Sequence, residues 1–125
     1  MDVSTRRFVR ERAEERCEYC QLHQSESPLA ALHVEHITPK KHGGTDDTEN
    51  LALACIDCNL HKGPNLTGID PVTNEITEIF HPRRHEWNEH FEWQGIFIVG
   101  LTAIGRTTVR VLDMNSEDRL SVRSV

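Results

Sequence analysis

The chain has 125 residues, of which 37% are hydrophobic and 27% charged, with a formal net charge of −6. That size and balance predict one soluble, globular domain with a modest core, small enough to benefit from a staple. No apolar run approaches the roughly 18 residues that span a bilayer, and the Arg- and Glu-rich N-terminus lacks an apolar signal segment, so a cytoplasmic chain without membrane contact is expected.

In chain order, Ser4 to Arg16 reads as a helix with Ser4 as N-cap. Arg7/Glu11 and Arg10/Glu14 form opposite-charge pairs one turn apart, and Val9 and Ala13 share a face. Most of Arg6, Arg7, Arg10, Arg12 and Arg16 then read as a solvated, self-paired helix surface, the alternative being local basic charge for a phosphate. Cys17-Glu18-Tyr19-Cys20 forms a knuckle-like turn, Ser25 to Pro28 a polar breaker, and Leu29 to Ile37 a strand stopped by Pro39. A loop follows over His42-Gly43-Gly44-Thr45-Asp46-Asp47, then a short helix near Asp57 to Lys62, closed by Gly63-Pro64. Beyond it come a loop at Thr67-Gly68-Ile69-Asp70-Pro71, a strand from Glu75 to Phe80, and a helical stretch from Arg83 to His90. Phe91-Glu92-Trp93 and Ile96-Phe97-Ile98-Val99 pair as a hairpin through Gln94-Gly95. Thr102 caps a helix running to Met114, although Thr108 to Leu112 also alternates like a strand. Ser116 to Val125 reads either as a last helical turn or as a loose terminus.

The four cysteines form two Cys-x-x-Cys pairs, Cys17/Cys20 and Cys55/Cys58. Each tight turn aims two thiolates at one point, and four soft ligands complete a closed tetrahedron, so a structural zinc ion is expected. Two disulfides would need an oxidising compartment, of which there is no sign. A redox pair would need a βαβ setting, absent around either pair. The zinc would tie the N-terminal helix to the segment that follows.

Between the knuckles lies Leu32-His33-Val34-Glu35-His36-Ile37-Thr38-Pro39, then Gly43-Gly44, then Glu49-Asn50-Leu51, and the second knuckle is followed at once by Asn59 and later by Lys62-Gly63. This ordered set resembles the HNH endonuclease family, whose ββα-metal site carries an Asp/Glu-His pair, a loop Asn and a helix Asn or His. The resemblance runs from Cys17 to about Gly63. It implies an α+β fold, a ββα-metal core stapled by the four cysteines, with an N-terminal helix and a C-terminal hairpin and helix extension. Residues 1–125 would form a single nuclease domain, core about 15–65 and extension about 66–125.

The activity implied is metal-dependent hydrolysis of DNA phosphodiester bonds, leaving 5′-phosphate and 3′-hydroxyl ends. Imidazole as a class can accept a proton near neutral pH, which makes a histidine a natural general base, and by resemblance His36 would deprotonate the attacking water. Glu35 and Asn59 would hold a hard cation, Mg²⁺ or Mn²⁺, for which oxygen donors are suited. Asn50 would brace the loop that orients His36. Glu stands where the family more often has Asp, one methylene shorter. Glu35 and His36 would point to opposite faces of a regular strand and converge only if it ends or distorts there. Lys62 stands where the family often has lysine, a candidate phosphate contact.

The other histidines and aromatics carry less. His33 shares a strand face with Glu35 and could line the site but reads as an ordinary packed or exposed histidine, while His42 and Lys41, in the adjacent loop, read equally as phosphate contacts and as solvated loop residues. His81, His85, His90, Trp87 and Trp93 read as core, without a catalytic role. The competing reading of the chain is a zinc-dependent nucleic-acid-binding or interaction module without catalysis; the acidic net charge argues mildly against tight non-specific nucleic-acid binding.

Overall fold

The computed structural model describes residues 1–124. They form two compact units, one of Met1–Pro64 and one from Asn65 onward.

The first unit opens with α1, Val3–Arg12. Its N-cap is Asp2 and not Ser4: the Asp2 carboxylate accepts from the Thr5 amide at 2.8 Å. The helix also stops short of Arg16, because Glu14 and Glu15 take left-handed backbone angles, φ 54° and 58°, a conformation that side chains disfavour by roughly 1 kcal/mol or more per residue. The reversal is held by the Gln24 amide donating to the Glu15 carbonyl at 2.8 Å and by an Arg10–Glu15 ion pair at 3.6 Å.

Two strands follow. β1, His33–His36, is shorter than its hydrophobic pattern suggested, and it pairs antiparallel with β2, Leu51–Ala54. The register sets Glu35 opposite Ala52 and His36 opposite Leu51. Then comes α2, Ile56–Lys62, N-capped by Cys55 and ended at Gly63. Val9, Leu32, Ile37, Leu51 and Leu53 are buried and form the core of this unit. Burying each such side chain is worth about 1.5–3 kcal/mol.

The N-terminal arginines are not simply a solvated face. Arg10 donates to the Leu32 carbonyl at 2.6 Å, Arg12 to the Leu51 carbonyl at 2.7 Å, and Arg16 to the Gln21 carbonyl at 3.1 Å. Three guanidinium groups thus serve as donors to backbone carbonyls outside the helix. Arg6 and Arg7 are exposed.

In the second unit, β3, Thr67–Ile69, pairs with β4, Ile76–Glu78, so the segment read as a loop at Thr67 is a strand. Asp70 locks the turn between them, accepting from Val72 N, Thr73 Oγ1 and, at 3.0 and 2.8 Å, from the Arg106 guanidinium. The stretch from Arg83 to His90 is helical only in α3, Trp87–His90. β5, Phe91–Gln94, and β6, Phe97–Gly100, make the expected hairpin. α4, Ala103–Val111, starts at Thr102, whose hydroxyl accepts from the Gly105 amide, and packs on β3, β4 and β6. α5, Glu117–Arg123, follows, and Arg119 from it donates to the Leu112 carbonyl at the end of α4. The core holds Phe80, Phe91, Ile98, Leu112 and Met114. Among the described residues no helix is long and apolar enough to cross a membrane.

Candidate functional site

The cysteines converge first. Cys17 and Cys20 come from the turn after α1, Cys55 and Cys58 from the start of α2, and their four Sγ atoms all lie within 4.8 Å of one another, buried and unbridged. Zinc–sulfur bonds of about 2.3 Å set tetrahedral edges of about 3.8 Å, and Cys20 Sγ lies 3.6 Å from Cys55 Sγ. In each knuckle the second cysteine's amide donates back to the first cysteine's sulfur, at 3.5 Å for Cys20 and 3.4 Å for Cys58. Burial pushes the thiols of Cys17 and Cys58 well up, so a cation among the four sulfurs is what would hold them as thiolates. The donor set, spacing and burial fit structural zinc, and not a disulfide pair. The first knuckle also docks on β2: Glu18 N donates to the Leu53 carbonyl and Leu53 N to Glu18 Oε2, both at 2.8 Å.

Glu35 sits on the inner face of β1, 8% exposed. Tyr19 Oη donates to its Oε1, and Lys62 Nζ lies 3.4 Å from its Oε2. Burial raises the Glu35 pKa, opposed by the Lys62 charge, and burial beside that carboxylate pushes the Tyr19 phenol well up. Lys62 is itself 1% exposed and donates to the Ile37 carbonyl at 2.9 Å. Its ammonium therefore faces inward, which removes it as a direct phosphate contact in this conformation. Asn59 lies one turn before Lys62 on the same face of α2, is partly exposed, and makes no side-chain hydrogen bond among the described residues. His61 is on another face, with Nδ1 2.8 Å from the Asp57 carbonyl.

As oxygen donors, Glu35 and Asn59 suit a hard cation. Oε1 of Glu35 is held by Tyr19, so a cation would meet Oε2 and compete there with the Lys62 charge.

His36 ends β1 with its side chain on the opposite face, 25% exposed. The ladder continues in register through His36, so the distortion expected to bring Glu35 and His36 together is not present. Instead the His36 ring meets the next loop: Nε2 lies 2.6 Å from Asp46 Oδ1. That loop is pinned by Asn50, whose Oδ1 accepts from Thr38 N at 2.9 Å and whose Nδ2 donates to the Thr38 and Thr45 carbonyls at 3.0 and 2.8 Å. The two glycines make this path possible. Gly43 takes φ 89°, and a Cβ on Gly44 would fall 1.7 Å from the Thr38 carbonyl oxygen.

His33, Lys41 and His42 are exposed. In the second unit His85 meets His90 edge-on with ring centroids 5.1 Å apart, Trp87 lies tilted against Trp93 at 6.0 Å, and His85 Nδ1 accepts from His81 N. The four cysteines are the only cluster of potential metal ligands among the described residues; His81, His85, Trp87 and His90 are half-buried and Trp93 is exposed, so these rings are not the buried core that the sequence suggested.

Sequence reading missed Tyr19, Asp46 and the burial of Lys62. Tyr19 stands between Cys17 and Cys20, but that spacing carries no signal for its burial or for its reach to Glu35. For Asp46 the sequence carries no signal, since its reach to His36 depends on the loop's path.

No curated protein and no solved structure matches the chain. One family model does, and it covers the segment from the first knuckle to the end of α2 in which these side chains gather: residues 17–65 match the family described as HNH endonuclease.

Proposed function

We propose that the chain is a metal-dependent endonuclease that hydrolyses DNA phosphodiester bonds, with residues 1–125 acting as one functional domain. The observation that supports this best is His36. It is a partly exposed imidazole at a strand end, anchored through Nε2, beside a loop fixed by Asn50. An imidazole held in that way can take a proton from water at neutral pH. The water oxygen's lone pair forms the new P–O bond, and the electron pair of the breaking bond leaves with the 3′ oxygen, which takes a proton from solvent water, giving 5′-phosphate and 3′-hydroxyl ends. A Mg²⁺ or Mn²⁺ ion held by Glu35 and Asn59 would neutralise phosphate charge and stabilise that leaving oxygen. Lys40 and Lys41, exposed beside the loop, offer charge for the DNA backbone and offset the acidic net charge locally.

Two observations favour the second reading, a zinc-held nucleic-acid-binding module without catalysis: both Glu35 oxygens already have partners, and Glu35 and His36 point to opposite faces of an undistorted β1. Incubating purified protein with supercoiled plasmid in Mg²⁺, Mn²⁺ or EDTA separates the two. Nicked or linear product that requires the added cation supports the nuclease. Retarded but intact DNA supports the binding module.

A further inference from the structure

Asp46 belongs to no motif, yet it holds the side chain on which the proposed reaction turns. We propose that Asp46 is a positioning residue for His36: its carboxylate accepts from Nε2–H, so the base is Nδ1. This rests on the nuclease reading above.

The geometry carries it. Asp46 Oδ1 lies 2.6 Å from His36 Nε2, and Lys40 Nζ is 3.5 Å from the same oxygen. The His36 contact, with Lys40 behind it, holds the Asp46 carboxyl below its usual range, so it is ionised and can only accept. Nε2 must then carry the hydrogen, which leaves Nδ1 of the neutral ring bare, and Nδ1 has no hydrogen-bond partner among the described residues. Which ring nitrogen acts is decided by the bond that the other one makes. As a water proton moves to Nδ1, the imidazolium that forms stays paired with the carboxylate across Nε2. The rest of the site could not do this. Glu35 is on the opposite face of β1, and the Asn50 amide is spent on Thr38 and Thr45.

The alternative is that Asp46 blocks the base, with Nε2 needed for water and the carboxylate in its place. Removing Asp46 would then raise the rate. The two readings predict opposite signs.

The test compares Asp46→Ala, Asp46→Asn and, as a control for loss of one loop charge, Asp47→Ala, each in the full chain loaded with zinc. Asp46→Ala should lower kcat by about tenfold to a hundredfold with KM for DNA unchanged or lower, because a displaced base costs rate and not binding. Asp46→Asn, which keeps an acceptor oxygen, should fall between Asp46→Ala and the unaltered protein. A second readout needs no cleavage: nitrogen-labelled histidine spectra should show a protected Nε2 proton on His36 that disappears in Asp46→Ala. A kcat for Asp46→Ala at or above that of the unaltered protein, an equal loss in Asp47→Ala, or no protected Nε2 proton overturns the assignment. Unchanged cleavage by His36→Ala would instead overturn the nuclease mechanism, and the ring-proton spectrum would still report on the Asp46 contact.

Discussion

At the scale of single residues, the positions of Asn59 and His61 separate two candidate helix ligands. Histidine is the better metal ligand in isolation, but two residues turn a helix by about 200°. Lys62, which reaches Glu35, lies one turn from Asn59 and not from His61. Asn59→Ala should therefore cripple cleavage, Asn59→His should retain some, and His61→Ala should be mild. A dead His61→Ala beside a normal Asn59→Ala would show that the wrong face of α2 has been assigned to the site. Glu35 has a double attachment, and its replacement should read out in two ways. Glu35→Gln keeps a partner for Tyr19 but removes the charge that Lys62 and a cation share, so more Mg²⁺ or Mn²⁺ should be needed for half-maximal cleavage. An unchanged cation titration would remove Glu35 from the ligand set. Glu35→Asp should retain activity with an altered metal preference.

At the scale of elements, local signals were legible and long-range ones were not. The knuckles could be read because ligand spacing is a property of four consecutive residues, and α2 because a cysteine start and a Gly63 stop bracket it. The β5–β6 hairpin and the Thr102 cap were legible for the same reason. β3 was missed because it has three residues, two of them exposed, and runs into Asp70-Pro71. The arginine roles were missed because their acceptors are carbonyls 22 and 39 residues away. The burial of Lys62 depends on Glu35 in a different element, which no window around Lys62 contains.

Two element-scale predictions follow from the attachments. The cysteine knuckles come from the turn after α1 and the start of α2, and the first docks on β2, so if they hold zinc, Cys17→Ser or Cys58→Ser should unfold or aggregate the chain, and a chelator should do the same, because structural zinc is folding free energy. Metal analysis of protein purified without added metal should give about one zinc per chain; two disulfides and no zinc would contradict it. In the second unit the Arg106 guanidinium holds the buried Asp70 carboxyl far below its usual range. A depressed folded-state value contributes stability above the unfolded value of about 3.9 and loses it as pH falls towards the folded one. Thermal unfolding should show Asp70→Asn destabilised at neutral pH, with the difference shrinking below pH about 4. A gap that stays constant into acid would mean the contribution is not electrostatic.

At the scale of the whole molecule, the candidate site residues gather in the segment that matches a known family, within the unit Met1–Pro64, and the residues from Asn65 onward form a second unit with its own hairpins, ring contacts and Arg106–Asp70 ion pair. Its core is built from Phe80, Phe91, Ile98, Leu112 and Met114. The central claim is that His36 is the general base of a cation-dependent nuclease. Its most direct test is the rate of plasmid nicking by His36→Ala, measured beside His33→Ala and His42→Ala on protein whose zinc content and thermal unfolding match the unaltered chain. The account predicts that His36→Ala loses cleavage while keeping zinc and fold, and that the other two variants stay close to the unaltered rate. Equal losses in all three, or undiminished nicking by His36→Ala, would contradict it.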